Sequence, residues 1–397
     1  MPLYAFPQLP MPALRPLCAL LLAAASSLTA LAAPPETLAL REPLDWQVTQ
    51  RRSPTQGTIR LAGLRPADSF LEWRLSGKPL QGSLPDAWQA LPTAPGPPEF
   101  SAALDLPAGG WYRLELRALR QGQAIASASV AHLGIGEVFL VAGQSNSANH
   151  GTSPQLTQTG SLASFDGQSW HLGNDPQRGA SGDGGSFMPA FGDALAAKLR
   201  VPIGVIPLGV GATSVREWLP SGTPVDRLTT TGSGLKPRPE GAWEALGDSF
   251  ARLSGRLRAL GPQGCRAVLW HQGESDAGQA RSGYPADRQI SGDDYARYMK
   301  ILVLASRQAA AWPVPWFTSQ TTYHSESDPA DAEFRLAQKS LWDSGLTLPG
   351  PDTDALRAEY RDGVHFNPKG LLKHGQLWAE HVNAWLEGPG KSLGTPP

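Results

Sequence analysis

Cysteine is almost missing from this chain: two in 397 residues, Cys18 and Cys265. Cys18 falls in an N-terminal leader-like segment, so the mature protein keeps one thiol and no intramolecular disulfide. It must rely on core burial, which a chain of ~360 residues can supply. Cys265 opens an apolar run and reads as a small buried side chain. A charge excess is missing too. Lys plus Arg (34) balances Asp plus Glu (35), which leaves no strong field to gather nucleic acid or an anionic membrane. After the N-terminus no apolar run is long enough to span a bilayer, so no stable membrane insertion is expected of the mature chain. There is no internal repeat and no charge block. Glycine (43) and proline (37) are abundant, which implies many turns and long loops on a rigid frame rather than a helical bundle.

Residues 1–32 have the pattern of a signal peptide. Arg15 precedes an apolar run from Leu17 to Ala25, and Ala30-Leu-Ala32 supplies a small-x-small cleavage site. Met11 is an alternative start, because residues 1–10 add nothing to the pattern. The expectation is an exported protein, periplasmic or extracellular.

Residues 33–133 read as all-β. Asp45–Gln50, Gly57–Leu61, Phe70–Leu75, Phe100–Leu104 and Trp111–Arg117 are short runs separated by Pro/Gly clusters, with Ala124–Leu133 as a last strand. Such spacing predicts a small β-sandwich. Trp46, Trp73, Trp88 and Trp111 either fill its core or form a sugar-binding face. From Gly134 the rhythm changes. Strands at Val138–Ala142, Ile203–Leu208, Ala267–Trp270 and Val314–Thr318 alternate with helices at Ser186–Leu199, Trp243–Leu260, Tyr295–Ala311, Ala332–Trp342 and Pro368–Leu386. Strand–helix alternation predicts a parallel sheet covered on both faces, an α/β/α domain over residues 134–388 with a tail at 389–397. In such sheets ligands sit at the C-terminal ends of the strands. The polar segments Gly151–Gly185 and Pro220–Gly241 read as long loops over that edge.

Four strand-end or loop sequences carry polar chemistry. Gly143-Gln-Ser-Asn146 ends the first α/β strand. Pro207-Leu-Gly-Val-Gly-Ala-Thr-Ser-Val-Arg-Glu-Trp218 leaves the second through glycines. Trp270-His-Gln-Gly-Glu-Ser-Asp276 follows the third, and Asp362-Gly-Val-His-Phe366 precedes the last helix. By itself Ser145 reads as a nucleophile, a helix cap or a turn residue. Asp362 and His365, three apart on a turn loosened by Gly363, can place a carboxylate against one imidazole nitrogen and leave the other free for a nucleophile. Glu274 and Asp276 either contact a sugar or brace the loop. Arg216 and Trp218 are sugar contacts or loop anchors. His271 reads as structural, and His150, His171 and His324 have no metal-ligand spacing.

These blocks, in this order, resemble those of SGNH-type (GDSL-like) esterases, and among them the sialate O-acetylesterase-related carbohydrate esterases. The resemblance covers about Gly134–Leu386, with a softer likeness of the N-terminal part to the β-domain that precedes some of these enzymes. It implies a three-layer α/β/α hydrolase domain and a serine carbohydrate O-acetylesterase needing no metal or cofactor. Ser145 is then the nucleophile, His365 the base and later acid, and Asp362 its orienter. Ser145, Gly211 and Gln272 are the matches to the oxyanion hole, although Gly209 competes with Gly211 and Gln272 replaces the wider superfamily's asparagine. Gln144, Asn146, Arg216, Trp218 and Glu274 are the expected substrate-binding residues. The expected partner is an acetylated mono-, oligo- or polysaccharide. The rivals are a lipid or thioester hydrolase on the same fold and a non-catalytic carbohydrate-binding protein.

Overall fold

The computed structural model describes residues 37–94, 96–228, 233–239, 242–279, 285 and 288–388. The expected leader and tail lie outside the described residues. The N-terminal strands are β1 (Ala39–Glu42), β2 (Gln47–Gln50), β3 (Gln56–Leu64), β4 (Phe70–Pro79), β5 (Gln89–Ala90), β6 (Glu99–Pro107) and β7 (Gly109–Arg120). β1, β3 and β6 pair antiparallel in one sheet, and β4 pairs with β5 and β7 in another. Successive side chains on a strand point to opposite faces, so every second residue reaches the layer between the sheets. Ile59, Leu61, Leu104 and Leu106 meet Leu71, Leu75, Leu114 and Leu116 there.

The four tryptophans pack in three separate places. Trp46 meets Trp111 edge to face at 5.0 Å and stacks on His132, and the Trp111 indole N–H donates to the Gly160 carbonyl. Trp73 packs on the sandwich core. Trp88 lies under the guanidinium groups of both Arg74 and Arg117.

β8 (Gln123–Gly143) joins the two parts of the chain. Its first half pairs antiparallel with β7, and its second half lies parallel between two strands of the central sheet. The expected boundary at Leu133/Gly134 therefore falls inside one strand. The elements that follow are β9 (Leu162–Phe165), β10 (Trp170–Leu172), α1 (Met188–Leu199), β11 (Ile203–Pro207), a small sheet of β12 (Pro224–Val225), β13 (Leu235–Pro237) and β14 (Trp243–Ala245), α2 (Asp248–Leu260), β15 (Ala267–His271), α3 (Glu274–Gln279), α4 (Gly292–Ala310), β16 (Trp316–Gln320), α5 (Ala332–Asp343), β17 (Leu348–Asp352), the two-residue strands β18 (Arg361–Asp362) and β19 (His365–Phe366), and α6 (Pro368–Glu387). The parallel order is β9-β11-β8-β15-β16-β17.

The run Glu137–Ala142 shows why this sheet has three layers. Val138, Leu140 and Ala142 face Leu253, Leu257, Met299, Leu302, Phe334 and Leu341 of α2, α4 and α5. Phe139 and Val141 face Phe191, Leu195, Trp378 and Val382 of α1 and α6. A strand covered on both sides is apolar at every position, which is how it reads in the sequence. Each of the larger of these side chains, such as Leu140 or Phe139, contributes about 1.5–3 kcal/mol on burial. The expected helix over Trp243–Leu260 is shorter: its first residues form β14, and Gly247, at a φ of +90°, separates that strand from α2.

At the seam between the two parts lies a buried carboxylate. Glu137 of β8 accepts from Arg51 Nε (2.7 Å), Arg266 Nε (2.6 Å) and Gln50 Nε2 (2.8 Å), while Gln50 Oε1 accepts from the Val138 N–H (2.8 Å). Burial alone would raise this carboxyl, but Arg266 and Arg51 more than reverse that and hold it below its ordinary value. Its stabilising contribution is therefore complete above the unfolded value of 4.5 and is lost as pH falls through the lower folded value. Glu137→Gln leaves two nearly buried guanidinium groups uncompensated. We expect a loss of about 3–5 kcal/mol at neutral pH in denaturant titration, narrowing as the pH is lowered.

Candidate active site

Gly143 ends β8 at a φ of +130°, where a Cβ would lie 2.1 Å from the His271 carbonyl oxygen. Only glycine tolerates that combination of backbone and space. The chain then turns into a short 3-10 helix, Ser145–Ser147. Its first internal bond runs from the Ser147 N–H to the Gln144 carbonyl (2.9 Å), so the Ser145 and Asn146 N–H groups precede the helix's own bonding. Ser145 caps nothing. Its side chain faces a cavity of about 530 Å³ at the C-terminal edge of the sheet.

His365 lines the same cavity. It sits in a two-residue hairpin in which Asp362 and His365 are cross-strand partners and Gly363 takes a φ of +62°. Asn367 then caps α6 by accepting from the Gly370 N–H, and Pro368 occupies the first turn, which anchors the hairpin to a rigid helix. Asp362 is exposed at the outer edge of this hairpin.

One side-chain amide joins these segments. Asn146 Nδ2 donates to Glu274 Oε1 (2.9 Å) and to the Val364 carbonyl (3.1 Å). It thereby ties the serine turn to the start of α3 and to the histidine hairpin. Glu274 is buried, and its second oxygen, Oε2, lacks a hydrogen bond within normal distance. Burial alone would raise this carboxyl, but it is held low by His271, with help from the Asn146 amide. The charge matters to His365. Burial lowers the His365 pKa first and the His150 ring lowers it further, while Glu274, and after it Asp362, pull the other way. His150 lies at the cavity wall, its ring centroid 5.6 Å from that of His365.

Of the other expected site residues, Gln144 lines the cavity, with Oε1 accepting from the Ser275 N–H (2.9 Å). Gly211 lines it as well, and its N–H donates to Ser181 Oγ (2.7 Å). Three expectations are corrected. Gln272 is fully buried and does not reach the cavity. Its NH2 donates to Asp276 Oδ2 (2.7 Å) and the Thr213 carbonyl (3.1 Å), and the carboxylate fixes that orientation, so no hydrogen is left for an oxyanion. Arg216 is fully buried. It holds the carbonyls of Arg227, Leu228 and Arg288 and the Gln279 amide, and so anchors loops rather than a sugar. Trp218 is also fully buried, edge-on to Trp270, with its N–H on Thr213 Oγ1. Asp276 braces the second block by accepting from Ser214 Oγ and the Val215 N–H. His271 is buried, bonded to Thr353 Oγ1. Cys265 is buried and its thiol is pushed up to about 12, which removes it as a nucleophile. His150, Ser181, Ser275 and His324 line the cavity without having been singled out for the site in the sequence. Only the glycine-rich loop around Ser181 gave a signal there.

A serine and a histidine on one cavity wall at the carboxyl edge of a parallel sheet define a site of the hydrolase class. Residues 135–384 match the family described as "Carbohydrate esterase, sialic acid-specific acetylesterase", and the chain belongs to that family. It is a carboxylic ester hydrolase of the carbohydrate esterases. Among solved structures it is similar to a carbohydrate acetylesterase from Xanthomonas citri (16% identity, covering 87% of this chain and 74% of that one, TM-score 0.49). It is also similar to a protein from Arabidopsis thaliana (18%, 64% and 98%, TM-score 0.42) and to a family two carbohydrate esterase from Clostridium thermocellum in complex with cellohexaose (12%, 84% and 93%, TM-score 0.32). No curated protein matches the chain in sequence.

An imidazole acting as base must be neutral, and a lowered pKa keeps it neutral at lower pH. The acid limb of kcat/KM for ester hydrolysis should therefore have its midpoint below the ordinary histidine value of 6.5. Glu274→Gln keeps an acceptor for Asn146 and removes the charge that favours the imidazolium. The limb should then move further down in a pH–rate profile, and an upward shift would contradict this account of the site.

Proposed function

We propose that this protein removes O-acetyl groups from a carbohydrate through an acetyl-enzyme on Ser145. The observation that carries the reading is that Ser145 and His365, 220 positions apart in the numbering, line one cavity at the sheet edge. Family membership supplies the class of ester and alcohol. On this reading His365 takes the Ser145 proton as Oγ attacks the acetyl carbonyl. The tetrahedral intermediate collapses, the sugar hydroxyl leaves with the proton returned by His365, and Ser145 keeps the acetyl group. Water, deprotonated by the same histidine, then releases acetate.

Two carboxylates serve His365 in this scheme. Asp362 is the orienter, reaching across the hairpin. Its hydrogen bond to the imidazole would form as substrate covers the site. Glu274 is the constant term: a buried charge, little screened by salt, that favours the imidazolium formed during attack. We further propose export, on the leader-like pattern of residues 1–32.

Ser145→Ala should abolish acetate release from an acetylated glycan and from 4-nitrophenyl acetate, and should end labelling by a fluorophosphonate probe. Full activity in a folded Ser145→Ala protein would overturn the mechanism. Asp362→Asn should lower kcat by about 10²–10⁴-fold with a smaller change in KM, because an unoriented imidazole still binds substrate but seldom presents the correct nitrogen.

A further inference from the structure

Of the three donors expected of the oxyanion hole, two are engaged elsewhere. Gln272 has both amide hydrogens engaged, and the Gly211 N–H ends on Ser181 Oγ rather than on open cavity. The group at the end of that bond is itself a hydroxyl, and it lines the same cavity as Ser145. We propose that the Ser181 hydroxyl is the side-chain donor of the oxyanion hole, held in place by the Gly211 N–H and the His150 ring. The proposal rests on the esterase reading above and adds a catalytic residue to it.

The hydroxyl is fixed from two sides. Gly211 N lies 2.7 Å from Ser181 Oγ and His150 Nε2 lies 3.0 Å from it. The His150 ring has little freedom, because it packs so closely on Gly211 that a Cβ there would come within 2.7 Å of Nε2. A serine hydroxyl has two acceptor sites and one hydrogen. With hydrogen on His150 Nε2, both acceptor sites are filled by N–H donors, and the Ser181 hydrogen is left to point into the cavity. With hydrogen on His150 Nδ1, the Ser181 hydrogen rests on Nε2 and turns toward the stronger acceptor when a negative oxygen forms. In both tautomers Oγ stays where it is. Receiving an N–H bond polarises the hydroxyl and makes it a better donor, so Gly211 acts through Ser181. No proton is transferred: Ser181 keeps its hydrogen, and the charge on the tetrahedral oxygen is met by a hydrogen bond.

The side chain is not needed to hold its own loop. The Ser181 N–H donates to the Gly209 carbonyl (2.9 Å) and the Ser181 carbonyl accepts from the Asn149 N–H (2.9 Å), so the backbone is anchored at both ends without Oγ. The hydroxyl is therefore free for a role in the cavity, and the alanine variant should fold.

The test uses the full-length enzyme, a 4-nitrophenyl acetate assay and an acetylated-glycan assay. Ser181→Ala should lower kcat by about 10²–10³-fold with KM unchanged, as expected for a donor that acts only in the transition state. Ser181→Thr, which keeps the hydroxyl, should recover most of that loss. His150→Phe, which keeps a flat ring against Gly211 but no hydrogen bond, should show a smaller fall in kcat. If Ser181→Ala melts early, Ser181→Cys carries the same test with a weak donor of similar size, and its kcat should also fall. The proposal is overturned if kcat of the alanine variant matches wild type, or if only KM rises, which would make Ser181 a ground-state sugar contact. Should wild type itself release no acetate, the esterase reading fails first; should wild type be active and Ser181→Ala equally so, this inference alone fails.

Discussion

Three of the four polar blocks meet at one stretch of backbone, Gly143–Gln144. The Val210 N–H donates to the Gly143 carbonyl (3.0 Å), and the Gln144 N–H donates to the His271 carbonyl (3.0 Å). Gly143 itself has the His271 carbonyl where a side chain would be. The first block is thus held between the second and the third by main-chain bonds, at a point where no larger residue fits. Neither side-chain rotamers nor loop motion can shift Ser145 far from this junction. The fourth block joins by a side chain, through the Asn146 amide on the Val364 carbonyl. The difference is physical. Backbone bonds fix the serine turn to the sheet, whereas the histidine hairpin is held from the loops around it, by the Asn146 amide, by the Thr152 N–H on the Phe366 carbonyl (3.1 Å), by Arg361 on the Leu356 and Thr353 carbonyls, and by the capped N-terminus of α6.

The two acids of the third block, Glu274 and Asp276, are two residues apart and do different things. Asp276 has both oxygens on donors of the second block and of Gln272, so its charge is consumed in holding the loop that carries Gly211. Glu274 keeps one oxygen without a close partner and lies beneath the histidines. A buried carboxylate with spare acceptor capacity persists only where a positive charge is near or forms in use. The buried Arg361 guanidinium is one such charge, and on the proposed mechanism His365 becoming an imidazolium is another, which would give the site a reason to keep an acid at residue 274 apart from any contact with sugar.

Much of this was legible in the sequence. Apolar runs such as Val138–Ala142 and Ile203–Pro207 announced buried parallel strands, and the Gly, His and Asp blocks stood at their ends. Two parallel strands were not legible. β17 reads Leu348-Pro-Gly-Pro-Asp352, whose prolines and glycine argue against a strand and are tolerated at the sheet edge, where among the described residues β17 pairs with β16 alone. β9 is four residues long inside a polar, glycine-rich segment and pairs with β11 at the other side of the sheet. The site failed to read in a different way. Sequence placed Arg216, Trp218 and Gln272 next to the right glycines, and they are indeed next to them. Direction is what was missing: all three point into the protein, Arg216 and Trp218 because the short 3-10 turn at Val215–Trp218 turns its side chains inward, and Gln272 because Asp276 and the Thr213 carbonyl draw its amide into the interior. Ser181 was hidden for the opposite reason. Its loop was expected over this edge, but nothing in the sequence picks Ser181 out of it, and only tertiary structure brings it to Gly211.

The fusion of the two parts through β8 bears on how the serine is held. A strand of 21 residues begins as the last strand of the sandwich and ends at Gly143. β2 lies parallel to it across the change of partner, with Gln47–Gln50 opposite Leu133–Gly136. Glu137 then clamps that crossing from within by its bonds to Gln50, Arg51 and Arg266, the last at the entrance to β15. A parallel sheet must otherwise rely on its helices to fix where its central strand starts. Here the start of β8 is fixed by a second hydrophobic core, and a slip of one residue would turn Val138, Leu140 and Ala142 toward the wrong helical layer. The sandwich therefore acts on the site without touching it, by setting the register of the strand that delivers Ser145.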